Sequence, residues 1–468
     1  MTSHNLIDLL ETRANAHGDT VALRQKRFGI WHEKTWTDVR DICRTIGAGL
    51  TASGLNPGAR IAILADPSQE AVFMVLAAHY AGAVPVVIYP TLPADETRRL
   101  FAASNCGFAY CDTIDRADKI LPDPGEVADD QRSAPAKIIV LDSRDAEDRA
   151  DVGVIGFDTL LSQGETREGN HEKSAIDPGE TAVVTLSSGT TGAPKPIELS
   201  HQSLIHSSTA FAEHFALSPT DRSLAILPFG HPTELSLSVV LPIMTGMQPS
   251  FSESARTMQD DMIEIAPTIV VGPPRLWQKL RGDLLLAAHK TGFVRRQLFT
   301  KAMGSLTDPT AETHGNPPGV AASLLVTKAL RARIGLGASR VTLSTGGAPV
   351  EAVRRFFTRM GVTVENAYSV SEAGGIVAML SASDRAKGDV LHPLPGFELN
   401  VANDESLEVV AGDARIVTDD LAAQADGNVF LRGRAGAKET SGNIQSIEGV
   451  LKSDPLIREV VVLSDGSN

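Results

Sequence analysis

One segment of the sequence combines a strand-like run with small hydroxyl residues, glycines and a lysine. It extends from Thr181 to Ser200 and reads TAVVTLSSGTTGAPKPIELS. The β-branched residues at its start predict a strand that leads directly into SSGTTG, whose backbone amides and hydroxyls suit a phosphate-sized concavity. Lys195 adds a positive charge. The segment therefore predicts a loop that binds phosphate groups.

This loop differs from the Walker A loop of P-loop nucleotidases. No serine or threonine follows Lys195, and Pro194 and Pro196 flank it, so a helix cannot begin there. A phosphate loop bounded by strands fits the sequence better. Taken alone, SSGTTG would be more simply interpreted as an ordinary surface loop rich in Gly, Ser and Thr.

A second segment, from Arg340 to Tyr368, predicts a βαβ unit. The alternation from Val341 to Thr345 predicts a strand, GGAP predicts a turn, and Pro349 opens a helix that ends at Gly361. If the two strands are parallel, the GGAP turn and the end of the second strand lie at the same edge of the sheet. Open α/β sheets bind ligands at that edge.

The composition is that of a globular protein with a large core. The chain has 468 residues, of which 42% are hydrophobic and 21% charged, which predicts several layers or domains. Its formal net charge of -14 argues against nucleic acid or an anionic membrane as a general partner. Any bound phosphate must therefore be held by local groups.

The cysteines and the N-terminus indicate a cytoplasmic protein. Cys43, Cys106 and Cys111 are too few for a disulfide framework and are interpreted as ordinary thiols in a reducing compartment. The pair Cys106 and Cys111 could form half of a metal site, but no second half follows. The first residues lack the apolar core of a signal peptide.

The elements that must position these loops alternate between helix and strand. We predict a helix at Leu6 to His17 and a strand at Ile61 to Ala65. The uncharged run from Ala71 to Pro90 is long enough to span a bilayer, but Gly82 and Pro85 divide it into a buried helix and a strand. This order predicts α/β layers with largely parallel sheets and no transmembrane segment.

The stretch between about Asp112 and Glu180 is more polar and acidic. It contains one convincing strand, Ile138 to Leu141, bounded by Pro135 and Asp142. We expect this stretch to be largely a surface excursion.

The phosphate loop resembles the SGTTGxPKG signature of the adenylate-forming (AMP-binding) superfamily, which includes acyl-CoA synthetases and peptide-synthetase adenylation domains. Further matches follow in chain order, namely LPFGHPTE, GPPRLWQKL, STGGAPV, AYSVSEAGG, HPLPGFEL, TDDL and DGNVFLRGR. PPRLWQKL and the helix containing two adjacent phenylalanines are most similar to long-chain fatty acyl-CoA synthetases. The resemblance covers most of the chain.

The resemblance implies an α/β fold of the adenylate-forming type. Residues 1–434 would form a large N-terminal adenylation body of layered α/β subdomains with parallel-rich sheets and a small β-subdomain. Residues 435–468 would be the remnant of a mobile, truncated C-terminal α+β domain.

The resemblance also implies a reaction. A carboxylic acid, of the fatty-acid class by the subfamily resemblance, would be activated by ATP to acyl-AMP with release of pyrophosphate. The acyl group would then pass to coenzyme A. An acyl carrier protein is a second candidate acceptor. Mg²⁺ would assist the first step, with Ser187 and Glu372 as its ligands.

The nucleotide-binding residues are implied by the same resemblance. The β- and γ-phosphates would be held by Ser188, Gly189, Thr190, Thr191, Gly192 and Lys195. Gly347, Ala348 and Tyr368 would bracket the adenine, and Gly346, Pro349 and Ser371 would also belong to the nucleotide-binding site. Asp420 and Arg434 would hold the ribose hydroxyls. His231 would lie beside the carboxylate of the acid, and Lys195, His231 and Glu372 are the candidate catalytic residues.

Several of these residues have a simpler interpretation. Glu372 alone could be a surface carboxylate, although its place after the second strand of the βαβ unit favours a metal ligand. TDDL, in place of the superfamily's TGDL, could align through Asp419 or Asp420. His231, next to a proline in an apolar setting, could be a hydrogen-bonded core histidine. We expect Trp277 to be a core residue because it lies on an apolar helical stripe.

The sequence also departs from the superfamily pattern. Pro196 replaces the glycine after the loop lysine, Ser371 replaces a threonine, and Ala437 occupies the hinge position. No residue can be assigned the role of the late lysine of the C-terminal domain. Two functions therefore stay open: an acyl-activating enzyme, or a catalytically reduced homologue that binds nucleotide or acyl ligand for regulation or scaffolding, or adenylates without CoA transfer.

Overall fold

The computed structural model describes residues 4–121, 135–142, 144, 146, 153–166, 175–186, 195–290, 320–381, 389–412 and 414–434. The chain divides into two compact units. The first comprises Met1–Glu253 and Val370–Ile376, and the second comprises Ser254–Ser369 and Val377–Asn468.

The first unit alternates helices and strands over most of its length. Its described elements, in chain order, are α1 (Leu6–His17), β1 (Val21–Arg27), β2 (Ile30–Thr35), α2 (Trp36–Ala52), β3 (Arg60–Leu64), α3 (Gln69–Tyr80), β4 (Val84–Val87), α4 (Ala94–Ala103), β5 (Cys106–Cys111), α5 (Ile114–Asp118), β6 (Lys137–Val140), β7 (Val154–Gly156), α6 (Phe157–Glu165), β8 (Thr181–Leu186), β9 (Pro196–Ser200), α7 (His201–His214), β10 (Arg222–Leu224), α8 (Pro232–Leu235), a π-helical turn (Ser236–Val240), α9 (Leu241–Thr245), β11 (Gln248–Phe251) and a 3₁₀ turn (Ser371–Ala373).

Two groups of strands form the sheets of this unit. One sheet has the order β7-β6-β5-β3-β4-β8-β9 and is parallel except for β9, which is antiparallel to β8. In the other group, β10, β11 and β1 are parallel neighbours and β2 pairs antiparallel with β1. The predicted α/β layers with parallel-rich sheets are confirmed.

The uncharged run from Ala71 to Pro90 folds as a buried helix and a central strand. Every residue of α3 is buried, and its N-cap Ser68 accepts a hydrogen bond from the Ala71 amide. Gly82, with a φ of 70°, follows the helix in the left-handed region that favours glycine. No helix among the described residues is long and apolar enough to cross a membrane.

The expectation of a surface excursion before Glu180 is wrong for residues 153–166. There β7 extends the parallel sheet, and α6 packs against α2. A Cβ at Gly49 would lie 2.3 Å from the Leu160 carbonyl oxygen, and one at Gly164 would lie 1.9 Å from that of Thr45. The two helices therefore approach closely because glycine is present on both. The buried face of α6 consists of only Phe157, Leu160 and Gly164, and the polar residues around them concealed this element in the sequence.

The second unit contains a parallel part and an antiparallel part. Its described elements are α10 (Met258–Ile265), β12 (Ile269–Gly272), α11 (Pro274–His289), α12 (Val320–Arg333), β13 (Val341–Thr345), α13 (Glu351–Arg359), β14 (Glu365–Val370), β15 (Gly375–Ser381), β16 (Asp389–Pro393), β17 (Phe397–Val401), β18 (Ser406–Ala411), β19 (Ala414–Ala425) and β20 (Asn428–Arg434). The last residue of β14 and the first two of β15 belong to the first unit.

The strands β12, β13 and β14 are parallel, as predicted for the βαβ unit. The strands β15, β16, β20, β19, β18 and β17 pair antiparallel in that order. The helix α13 begins at Glu351 rather than at Pro349, because the Val350 backbone, with a φ of -57° and a ψ of 147°, is not helical. Trp277 is fully buried, with its ring 5.4 Å from that of Phe357, so its predicted core position is confirmed.

The cysteines of the chain are buried free thiols. Burial raises the pKa of Cys43, and it raises the pKa of Cys111 above the usual range as well. A thiol with a raised pKa is a poor nucleophile and a poor metal ligand at neutral pH. This fits the interpretation of these residues as ordinary thiols.

Candidate functional site

In the first unit, a hairpin brackets the predicted phosphate loop. β8 and β9 pair antiparallel, and Leu186 lies opposite Pro196. The predicted phosphate ligands Ser187, Ser188, Gly189, Thr190, Thr191 and Gly192 lie outside the described residues. Lys195 is exposed immediately before β9. The lysine therefore lies directly before β9, and Pro196, which restricts the backbone, follows it.

The predicted metal ligand Glu372 lies in the 3₁₀ turn of the same unit. This turn packs against β9 and α7, so Ser371 and Glu372 lie on an element that contacts the strand that follows Lys195. The turn ends at Gly374, whose φ is 81°, and the Glu372 side chain is exposed. Mg²⁺ is commonly bound by one or two carboxylates together with substrate phosphates, and an exposed carboxylate on this turn fits that role.

In the second unit, the GGAP turn leaves its glycine backbone open. Gly346 and Gly347 have φ values of 73° and 143°, in the region that favours glycine. Ser344 Oγ donates a hydrogen bond of 2.7 Å to the Gly347 carbonyl. A Cβ added at Gly346 would meet no atom within 4 Å. Ala348 is also exposed, whereas Pro349 is buried, so a planar ligand could lie against residues 346–348 but not against Pro349.

Two predicted nucleotide ligands of this unit are in direct contact. Tyr368, at the end of β14, donates a hydrogen bond of 2.6 Å from its hydroxyl to Asp420 Oδ2. Asp420 lies opposite Arg434 in the antiparallel pair of β19 and β20, so the two residues assigned to the ribose are neighbours. The Asp420 amide donates to Thr418 Oγ1. Of the two aspartates in TDDL, this geometry favours Asp420.

His231 lies at the start of the short helix α8 in the first unit. Its Nδ1 accepts a hydrogen bond of 3.2 Å from the Thr233 amide, so in the neutral ring the proton is on Nε2. Burial lowers the pKa of His231 to about 4, which keeps it uncharged at neutral pH. The residue is thus both a hydrogen-bonded helix cap and a neutral N–H donor.

Sequence reasoning missed Glu234, which is buried three residues after His231. Its Oε2 accepts hydrogen bonds from the Leu227 amide at 3.0 Å and the Ile226 amide at 3.3 Å, and its Oε1 accepts one from Ser238 Oγ at 2.6 Å. Burial raises the pKa of Glu234 to about 7. The carboxyl fixes the loop before His231 onto α8. A single glutamate inside an apolar run was the available signal.

Comparisons with known proteins agree with these features. The AMP-binding enzyme family matches residues 10–438. The chain is similar to the long-chain-fatty-acid–CoA ligase FadD15 of Mycobacterium bovis, with 27% identity over 96% of this chain and 78% of that protein. It is also similar to the peroxisomal long chain acyl-CoA synthetase 7 of Arabidopsis thaliana, with 23% identity over 96% of this chain and 63% of that protein.

Solved structures support the fold. A long-chain-fatty-acid-CoA ligase, FadD1 from Archaeoglobus fulgidus, has a TM-score of 0.67 at 13% identity, over 99% of this chain and 90% of its own. The N-terminal domain of FACL13 from Mycobacterium tuberculosis has a TM-score of 0.64 at 17% identity, over 92% of this chain and 100% of its own. The predicted adenylate-forming fold is confirmed by these neighbours, whereas the predicted C-terminal remnant, residues 435–468, lies outside the described residues.

Proposed function

The chain belongs to the family of AMP-binding enzymes, and we propose that it activates a fatty acid with ATP and transfers the acyl group to coenzyme A. The substrate class is inferred from the long-chain-fatty-acid–CoA ligases to which the chain is similar. The observation that carries the proposal is the hydrogen bond between Tyr368 and Asp420, with Arg434 opposite on the next strand.

Asp420 and Tyr368 act on the nucleoside in this proposal. An ionised carboxylate only accepts hydrogen bonds, so Asp420 is suited to receive those of the two ribose hydroxyls. The Tyr368 hydroxyl donates a hydrogen bond to Asp420 Oδ2 and so fixes the orientation of the carboxylate. The exposed backbone at Gly346 and Gly347 provides a surface for the adenine.

Lys195 and Glu372 act on the phosphates. A carboxylate oxygen of the acid attacks the α-phosphorus of ATP, and the bond to the pyrophosphate oxygen breaks, which gives acyl-AMP and pyrophosphate. Charge accumulates on the departing pyrophosphate, and Lys195 with the Ser187–Gly192 loop stabilises it. Glu372, with Ser187, would hold Mg²⁺, which supplies charge neutralisation when bound. The exposure of both side chains leaves them accessible to the substrate.

His231 orients the acid. Because its pKa is low and its Nδ1 is engaged by the Thr233 amide, the Nε2–H is a neutral donor toward the carboxylate. A neutral donor orients the attacking oxygen without forming an ion pair that would reduce its nucleophilicity. In the second step the coenzyme A thiolate attacks the acyl carbonyl carbon, and AMP leaves.

The proposal is tested by measuring the acid-dependent release of pyrophosphate from Mg-ATP. Saturated acids of increasing chain length are compared, with and without coenzyme A. The proposal expects release with at least one acid and an acyl-CoA product when coenzyme A is present. Release without a thioester would remove the second step and would direct attention to an acyl carrier protein as acceptor. Binding of ATP without release by any acid would favour the catalytically reduced homologue.

A further inference from the structure

A small cavity in the first unit lies beside the segment that carries His231. Its volume is about 10 Å³, which is room for about one water molecule. Helix α8, the π-helical turn and α7 form most of its wall. Its lining includes Ser207, Thr233, Ser236, Leu237, Gly374 and Ile376.

Thr233 is the unsatisfied member of this wall. The residue is 2% exposed, and its Oγ1 has no hydrogen-bond partner among the described residues. The hydroxyls of its neighbours are engaged: Ser207 Oγ contacts the carbonyls of Leu204 and Gly374, and Ser236 Oγ is 2.8 Å from Ser208 Oγ. A buried hydroxyl without a partner destabilises the protein unless something else in the cavity satisfies it.

The position of Thr233 relates this hydroxyl to the acid. Thr233 is two residues after His231, and its amide donates to the imidazole. On the other side, a Cβ at Gly375 would lie 3.8 Å from Thr233 Oγ1, and Gly375 follows Glu372 by three residues. The hydroxyl therefore lies between two segments that the proposed function assigns to the reaction.

The helix around the cavity is also irregular. The segment Ser236–Val240 is π-helical, and π-helical turns occur frequently at functional sites. The turn places Ser236 and Leu237 on the cavity wall. The lining thus combines apolar side chains with hydroxyls around a space that fits one small polar group rather than a length of hydrocarbon chain.

We propose that the Thr233 hydroxyl binds an oxygen substituent, a hydroxyl or keto group, on the carbon chain of the acid, and so selects oxygenated acids over unsubstituted acids of equal length. This inference rests on the proposed function, because it assumes that the acid lies next to His231. An oxygenated chain satisfies Thr233 Oγ1, whereas a hydrocarbon chain covers it without a partner. A site built to bond a polar group discriminates against the analogue that lacks it.

The test compares pairs of acids of the same length, one unsubstituted and one with a hydroxyl moved stepwise along the chain from carbon 2 to carbon 6. The kcat/KM of pyrophosphate release is measured for the wild-type chain, for Thr233→Val, which removes the hydroxyl at nearly constant shape, and for Thr233→Ser, which retains it. The matched control is Thr209→Val, because Thr209 Oγ1 already donates to the Ile205 carbonyl. Calorimetric binding of the same acids gives a second measurement that does not depend on turnover.

The wild-type chain is expected to prefer one hydroxy acid about tenfold, the value of one hydrogen bond to a buried group. Thr233→Val should lose that preference, and Thr233→Ser and Thr209→Val should keep it. Equal preference in wild type and Thr233→Val, or none in wild type at any position, overturns the inference and indicates that water alone satisfies the hydroxyl. Those results leave the proposed function intact. If no acid is turned over and no acid binds, both the proposed function and this inference are overturned.

Discussion

His79 and His201 are buried against each other in the first unit, with their ring centroids 4.8 Å apart. His79 Nε2 lies 2.6 Å from the Ala182 carbonyl, so this nitrogen carries the proton, and its Nδ1 has no partner among the described residues. His201 Nδ1 accepts from the Leu6 amide. Burial lowers the pKa of His79 to about 4, and burial with the neighbouring His79 lowers that of His201 to about 2.

These values set the sign and size of a pH effect. Because the folded pKa is below the ordinary value of 6.5, the unfolded chain takes up protons first as the pH falls. The part of the free energy of unfolding that depends on these histidines is therefore fully present above pH 6.5 and is lost as the pH falls toward 4. At pH 5 each of the two histidines lowers the free energy of unfolding by about 2 kcal/mol relative to its value above pH 6.5.

The perturbation that isolates this effect is His79→Gln, which keeps an N–H donor for the Ala182 carbonyl. The free energy of unfolding is measured with urea at pH 7, 6 and 5. The loss between pH 7 and pH 5 should be about 2 kcal/mol smaller in His79→Gln than in the wild-type chain. His214→Gln, which replaces an exposed histidine, is the control and should leave the loss unchanged.

An equal loss in His79→Gln and wild type would show that the buried His79 imidazole does not cause the pH dependence. If the variant does not fold, histidine NMR of the wild-type chain supplies the same answer, because the imidazoles of His79, His201 and His231 should stay neutral between pH 7 and pH 5. Titration of every histidine in that interval would contradict the burial of this pair.

Three further predictions concern the candidate site. Tyr368→Phe removes the hydrogen bond to Asp420. Because a hydrogen bond to a charged group contributes about 1.5–3 kcal/mol, the KM for ATP should rise about tenfold or more. An unchanged KM would show that this pair does not belong to the nucleotide site. Glu372→Gln should weaken the binding of Mg-ATP, measured by calorimetry, with little change for ATP without the metal; equal affinities for Mg-ATP in variant and wild type would exclude Glu372 as a ligand. Glu234→Ala leaves two buried backbone amides without an acceptor and should lower the free energy of unfolding by about 3 kcal/mol, which chemical denaturation would detect; a smaller loss than that of an exposed glutamate would contradict its buried role.

Local signals predicted much of the fold. The helix Leu6–His17 has the predicted bounds, because Asn5 caps it and the apolar spacing is regular. The uncharged run divides at Gly82 as predicted, and β13 and β14 are parallel. These features depend on neighbouring residues, so one sequence suffices to recognise them.

The sequence did not reveal features that depend on distant contacts. The packing of α6 on α2 requires glycines more than 100 residues apart in the chain. The choice between Asp419 and Asp420 depends on a hydrogen bond from Tyr368 on another strand. The unsatisfied hydroxyl of Thr233 and the buried carboxyl of Glu234 are properties of the folded environment, and neither residue type announces them.

The proposed adenylation is tested most directly by isotope exchange between labelled pyrophosphate and ATP in the presence of Mg²⁺ and an acid. Exchange requires reversible formation of acyl-AMP, so it reports the first step without coenzyme A. We expect exchange that depends on the acid and is strongly reduced in Tyr368→Phe and Glu372→Gln. Exchange that is absent with every acid, while ATP still binds, would exclude formation of acyl-AMP by this chain.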